Sequence, residues 1–120
     1  MNLLDELREM GVKVDEGLNR LGGNTAIYTK MVTTSFVKMM KGYSVDPNFD
    51  SNNYQDVIEV AHAIKGAAGN LSITPLYEGY GKIVDLLRQG QPEQAREVLV
   101  NLLPVQEQIL GVIEKHAAGK

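Results

Sequence analysis

Apolar positions recur at three- and four-residue spacing along almost the whole chain, and no segment alternates over several residues as a half-buried strand requires. An all-α fold is expected. Residues 3–10 (LLDELREM) form a short amphipathic piece that Gly11 ends, and residues 14–21 form another, closed by Gly22 and Gly23. Asn24 then caps a long helix over residues 24–42, with Ile27, Met31, Thr34, Phe36 or Val37, and Met40 spaced along it and Gly42 at its end. From Tyr43 to Asn53 the chain is rich in Asp, Asn, Ser and Pro, which is loop chemistry followed by candidate caps.

A second long helix is predicted over residues 52–71. The third, over 75–90, has Thr74 as its cap and Pro75 at its first position, where the missing N–H has no helical partner in any case. Leu76, Tyr80, Ile83 and Leu87 line its inner face. The last, over 92–117, turns Leu99, Leu102, Val105, Ile109 and Ile113 inward, and Pro104 within it predicts a kink. Four substantial helices with short connections, preceded by short helical segments within residues 1–23, pack most economically as an antiparallel four-helix bundle. At 120 residues the chain is long enough for one such domain and no more.

Charge and cysteine content narrow the function. A net charge of −3 and a pI near 5.3 provide no basic field to hold a polyanion, so nucleic acid is not an expected partner. No apolar run approaches the roughly 20 residues that cross a bilayer. The start of the chain, with Asp5, Glu6 and Glu9, lacks the cationic-then-apolar order of a secretion signal, and a cytoplasmic protein with no membrane contact is expected. The absence of cysteine excludes a disulfide framework, a thiol nucleophile and a thiolate metal site. Two histidines without suitably spaced carboxylates predict no zinc site. A monomer is expected, since the apolar stripes can all be buried within one chain.

One helix carries candidate chemistry. On a wheel of about 100° per residue with Val57 at zero, Ala61, Ile64, Ala68 and Leu71 fall within about 40° and form the buried stripe. His62 falls near 140°, with Gly66 and Gly69 near 180° and 120° on either side of it further along, and Lys65 and Ile58 flank this strip at about 80° and 100°. Each glycine inside a helix costs about 1 kcal/mol relative to alanine. Here the pair strips side chains from the surface beside His62, so that another protein can approach the imidazole, while Lys65 supplies a positive charge for an anionic group on the ring. A tight helix crossing is the competing account of the two glycines, and a solvated side chain that of Lys65.

The run His62-Ala63-Ile64-Lys65-Gly66-Ala67-Ala68-Gly69-Asn70-Leu71 closely resembles the phosphorylation-site helix of histidine-containing phosphotransfer (HPt) domains of multistep two-component phosphorelays. Residues 11–36, including the Leu21-Gly22-Gly23-Asn24 turn, resemble the opening of such domains, and the likeness covers about residues 11–100. The resemblance implies a phosphoryl group carried on His62 between receiver-domain aspartates, with Lys65 stabilising the phosphate and Ile58, Gly66 and Gly69 at the docking face. It implies response-regulator receiver domains and a hybrid or sensor histidine kinase as partners, with Mg²⁺ belonging to the receiver and no cofactor in the carrier. Ser72 departs from the family, which often has glycine there, and Gly79 and Gly81 replace the usual helix formers of the next helix and are expected to weaken it.

A free imidazole titrates near pH 6.5, so a neutral ring nitrogen is available at cytosolic pH without an activating base. The chain has no G-x-x-x-x-G-K-[ST] loop, so it is expected to be a carrier and not an ATP-dependent autokinase. The alternative is an interaction module of the same fold that docks receivers without passing phosphate.

Overall fold

The side chain of Asn2 accepts the Asp5 N–H at 2.8 Å and opens helix α1 (Leu3–Glu9). Gly11, at φ +92°, then turns the chain toward α2 (Val14–Arg20). Asn24 acts as the expected cap by accepting the Ile27 N–H at 3.0 Å. The helix it starts, α3, covers residues 25–42: it is α-helical over Thr25–Lys30 and Val37–Gly42 and π-helical over Met31–Phe36 between them. Helices α4 (Gln55–Asn70), α5 (Thr74–Arg88) and α6 (Pro92–Ala118) follow, joined by three-residue turns. These features come from a computed structural model that describes residues 2–118, and every regular element among the described residues is helical.

Several helix boundaries differ from the sequence expectation, most of all the start of α4, at Gln55 and not at 52, and the span of α5, 74–88 and not 75–90. Thr74 is itself the first residue of α5 and donates its hydroxyl to the Ser72 carbonyl at 3.1 Å, so Pro75 lies one place further into the first turn. There its missing N–H is still harmless. Helix α6 runs as a single element through Pro104, and its 27 residues correspond to about 40 Å of helix. That length accounts for the long dimension of the molecule, 44 Å.

Helix α4 lies along α5, α5 lies along α6, and α6 packs in turn on α3 and α1. Their shared core contains Phe36, Ile64, Leu76, Ile83, Leu99 and Ile109, all essentially inaccessible. The expected inward residues of α5 are all buried, and those of α6 are too except Val105, which is half-buried. Helix α3 is a correction. Ile27 is 47% exposed, and the buried row is Tyr28, Val32, Phe36 and Met40. Steps of four residues advance by about 40° per turn on an ideal α-helix. The π segment widens the turn across Met31–Phe36 and takes out part of that drift, so the four-residue row stays turned inward.

Polar groups in the core are partnered. Tyr28 donates its hydroxyl to the Leu71 carbonyl at 2.8 Å, and Tyr80 bonds Gln106. Burial pushes both phenols up to about 12. His116 lies within α6 and bonds Glu6 of α1 through Nε2. Lys115 Nζ stands 3.4 Å from the same carboxylate, and the His116 bond, then Lys115, holds Glu6 below the usual carboxylate range.

Candidate functional site

Helix α4 buries Ala61, Ile64 and Ala68 and turns His62 and Gly66 to solvent, as its periodicity predicts. Its buried arc is wider than the stripe of four. Ile58 is 8% exposed and belongs to the core. The reason is the position of α5: the strip of α4 near 80–100° faces that helix, and Lys65, on the same strip as Ile58, lies across Gly81 of α5.

The glycines around His62 separate by what a Cβ would meet. At Gly66 a Cβ has no neighbour within 4 Å. At Gly69 it comes 2.7 Å from Cδ1 of Tyr77, whose ring rests on that glycine. Gly69 therefore clears space for an internal neighbour, as the tight-crossing account of the two glycines expects. At Gly79 a Cβ meets both Leu102 methyl carbons at 2.6 Å, and at Gly81 it meets Lys65 Cε at 3.4 Å. These two sit inside one uninterrupted helix, where each admits a side chain from the facing helix and so gives back in packing what it loses in propensity. Gly111 in α6 is as open as Gly66, but the residues around it on its helix are Glu107, Gln108, Glu114 and Lys115, with no histidine among them.

Tyr77 is the site residue that sequence reasoning missed. It is 43% exposed on α5, and Lys65 Nζ stands 5.7 Å from its ring centroid. The available signal was an aromatic residue off the inner row of α5, opposite two glycines in the preceding helix; pairing it with Gly69 requires the helix register.

The C-terminal end of α4 is held from α2. The Lys13 N–H donates to the Ser72 carbonyl at 3.0 Å, and the Ser72 hydroxyl donates to Glu16 at 2.9 Å while accepting from Arg20. Gly17 lets the helices close here, since a Cβ would lie 2.6 Å from the Tyr28 ring and 2.9 Å from the Leu71 carbonyl oxygen. Hydrogen bonds from Ser72 and then Arg20 lower the Glu16 carboxyl below its usual 4.5. This contribution to stability is present above that pH and is lost as pH falls through the lowered value.

Ser72 itself has φ +56° and is 3% exposed. Its Cβ is disfavoured in that left-handed conformation by roughly 1 kcal/mol, and its two hydroxyl bonds outweigh that. Ser72→Ala keeps the backbone strain and loses the bonds, for an expected loss of about 1–2 kcal/mol. Ser72→Gly loses the same bonds but relaxes the backbone, and its urea midpoint should lie between those of alanine and wild type. A glycine variant no more stable than alanine would show that the left-handed strain is negligible.

A cleft of about 610 Å³ begins at Gly66 and Gly69 and extends between α2 and the start of α5, where Lys13, Arg20 and Tyr77 border it. His62 stands outside it on the open helix surface. Among the described residues no hydrogen bond or ion pair engages the imidazole, and no group of acidic or histidine side chains could hold a metal ion. No described helix is long and apolar enough to cross a membrane. The site is thus an exposed ring, a lysine one turn further along the same helix and a stripped patch of helix surface, with no enclosing pocket around the ring and no hydrogen-bonded base among the described residues. An exposed imidazole of this kind can act as a nucleophile toward a group presented to it already activated. No protein-family model matches the chain, nor does any curated protein or solved structure.

Proposed function

We propose that this protein is a histidine phosphocarrier built on an antiparallel four-helix bundle formed by α3 to α6, and that His62 accepts a phosphoryl group from an aspartyl phosphate on a receiver domain and returns it to another. The observation that carries this reading is Gly66. An interior helical glycine costs about 1 kcal/mol, and this one, a turn beyond an exposed histidine, faces no neighbour within the molecule that would justify it. Its use is to let a second protein come close to the ring. The likeness of residues 62–71 to the HPt phosphorylation-site helix supports the same reading.

In the transfer, a neutral nitrogen of His62 attacks phosphorus, an N–P bond forms, and the P–O bond to the aspartate breaks. The electron pair leaves with the carboxylate, and the other ring nitrogen keeps its proton. An acyl phosphate is already activated, so the carrier contributes mainly position, and Lys65 offsets the charge of the phosphoryl oxygens. Magnesium on the receiver, when bound there, supplies the remaining charge neutralisation.

The test mixes the purified protein with a receiver domain charged on its aspartate in the presence of Mg²⁺. The expected product is an acid-labile, alkali-stable phosphate mapped to His62, and its absence with several receivers would leave only a docking module. Gly66→Gln sharpens the reading. The variant should be folded and about 0.5 kcal/mol more stable, because glutamine is the better helix former. Its transfer should slow by about a hundredfold, since the new side chain displaces the receiver from the attack geometry. Normal transfer by the folded variant would overturn the steric account.

A further inference from the structure

We infer that Tyr77 is a positioning residue for Lys65: its ring, seated on Gly69, holds the lysine ammonium along the α4–α5 edge beside His62, ready for the phosphoryl group. This rests on the carrier reading of His62 and adds to it a residue from the neighbouring helix.

Three contacts describe one saddle. The Lys65 stem lies across Gly81, where a Cβ would stand 3.4 Å from Cε and 4.0 Å from Nζ. Its ammonium is 5.7 Å from the Tyr77 centroid, within the range of cation–π attraction. The ring reaches this place because Gly69 has no side chain, a Cβ there being 2.7 Å from Cδ1. Among the described residues Lys65 has no carboxylate partner, so ring and stem contacts restrain a side chain that otherwise samples many rotamers. Placement on the helix makes the restraint useful. His62, Lys65 and Gly69 lie within about 60° of one another on α4, and Gly69 is about 10 Å beyond His62 along the axis. The lysine between them is kept on the edge where the imidazole stands. Tyr77 carries no charge, so it restrains the ammonium without neutralising it, which a carboxylate in its place would do.

The effect belongs to the face of the ring and not to its hydroxyl. Tyr77→Phe should therefore behave as wild type. Tyr77→Leu should slow phosphoryl uptake from a charged receiver by about two- to fivefold, the rate equivalent of an exposed ring–ammonium contact. In a Lys65→Ala background the same Tyr77→Leu change should cause no further loss, as expected of residues that act through one another.

The measurement independent of transfer is the NMR signal of the Lys65 ε-protons, read on the full chain without any partner. A ring-current shift is expected in wild type and Tyr77→Phe, and its loss in Tyr77→Leu. Gly69→Ala should also abolish it by displacing the ring, while making the helix intrinsically more stable. An unshifted Lys65 signal in wild type overturns the inference. So does a Tyr77→Leu protein that takes up phosphate at the wild-type rate while Lys65→Ala is slowed. If wild type forms no phosphohistidine yet the ring-current shift is present, the carrier reading fails and Tyr77's role fails with it, the contact remaining as packing alone.

Discussion

His62→Gln is expected to take up no phosphate from a charged receiver beyond the slow hydrolysis of the donor itself. Glutamine keeps a polar side chain of comparable reach but has no nitrogen lone pair able to form the N–P bond, so the loss is complete and not graded. The fold should not register the change. His62 is exposed and its ring has no hydrogen-bond partner among the described residues, so stability should stay within about 0.5 kcal/mol of wild type. Receiver binding should likewise persist, because the stripped surface at Gly66 is unaltered. The decisive comparison is binding against transfer in the same preparation. Binding retained with transfer abolished identifies the histidine as the chemical intermediate. Phosphate uptake unchanged in His62→Gln would remove the proposed function, and unchanged signalling in a cell dependent on the protein would favour the docking module instead.

The second large effect concerns the loop between α3 and α4, and it depends on Arg96 in α6. Between Tyr43 and Tyr54, whose backbone bonds belong to the flanking helices, two Asx turns, at Asp46 and Asp50, organise the segment locally. Arg96 ties this segment down. Its Nε donates to the Pro47 carbonyl at 2.6 Å, and Nη2 donates to the Phe49 carbonyl at 2.7 Å and to the Ser51 hydroxyl at 3.0 Å. Nη1 pairs with Glu93 at 2.6 Å, and the guanidinium carbon lies 4.4 Å from the centroid of the Phe49 ring. One planar group thus satisfies two loop carbonyls and stacks on a loop aromatic, which a lysine cannot reproduce.

Arg96→Ala is expected to cost about 2–3 kcal/mol, from two carbonyls deprived of a charged donor and the lost stacking. For a chain of this length that is a fall in Tm of roughly 10 °C. Arg96→Lys should recover less than half of it. Amide hydrogen exchange should accelerate in residues 43–54 before anywhere else, since Arg96 acts on that segment first. A loss below about 0.5 kcal/mol would mean that the loop is held by its own turns and by the burial of Val45.

How far the candidate site was legible in the sequence varies from residue to residue. His62 and Lys65 could be placed because helical periodicity fixes where a side chain lies relative to the buried stripe, and Gly66 because an unexplained glycine beside them is a local anomaly. Ile58 could not, because its burial depends on the arc of α4 that α5 covers. Gly69 and Gly66 look alike in the sequence. One is filled by Tyr77 and the other by nothing, and Tyr77 is eight residues beyond Gly69 across a turn. Gly79 and Gly81 read as weak points of a helix when taken alone and as contact points once Leu102 and Lys65 face them.

Alone, the sequence determined the helical class, the helix ends to within a few residues, the inner faces of α5 and most of α6, and the solvent-facing strip of α4, since periodicity, caps and turn residues act over four or five positions. Tertiary structure alone decided which row of α3 is buried, what covers each glycine, and the reach of Arg96 to a loop more than 40 residues away. Such pairings come from how helices dock, and docking is set by the summed fit of distant side chains, which no short stretch of sequence encodes.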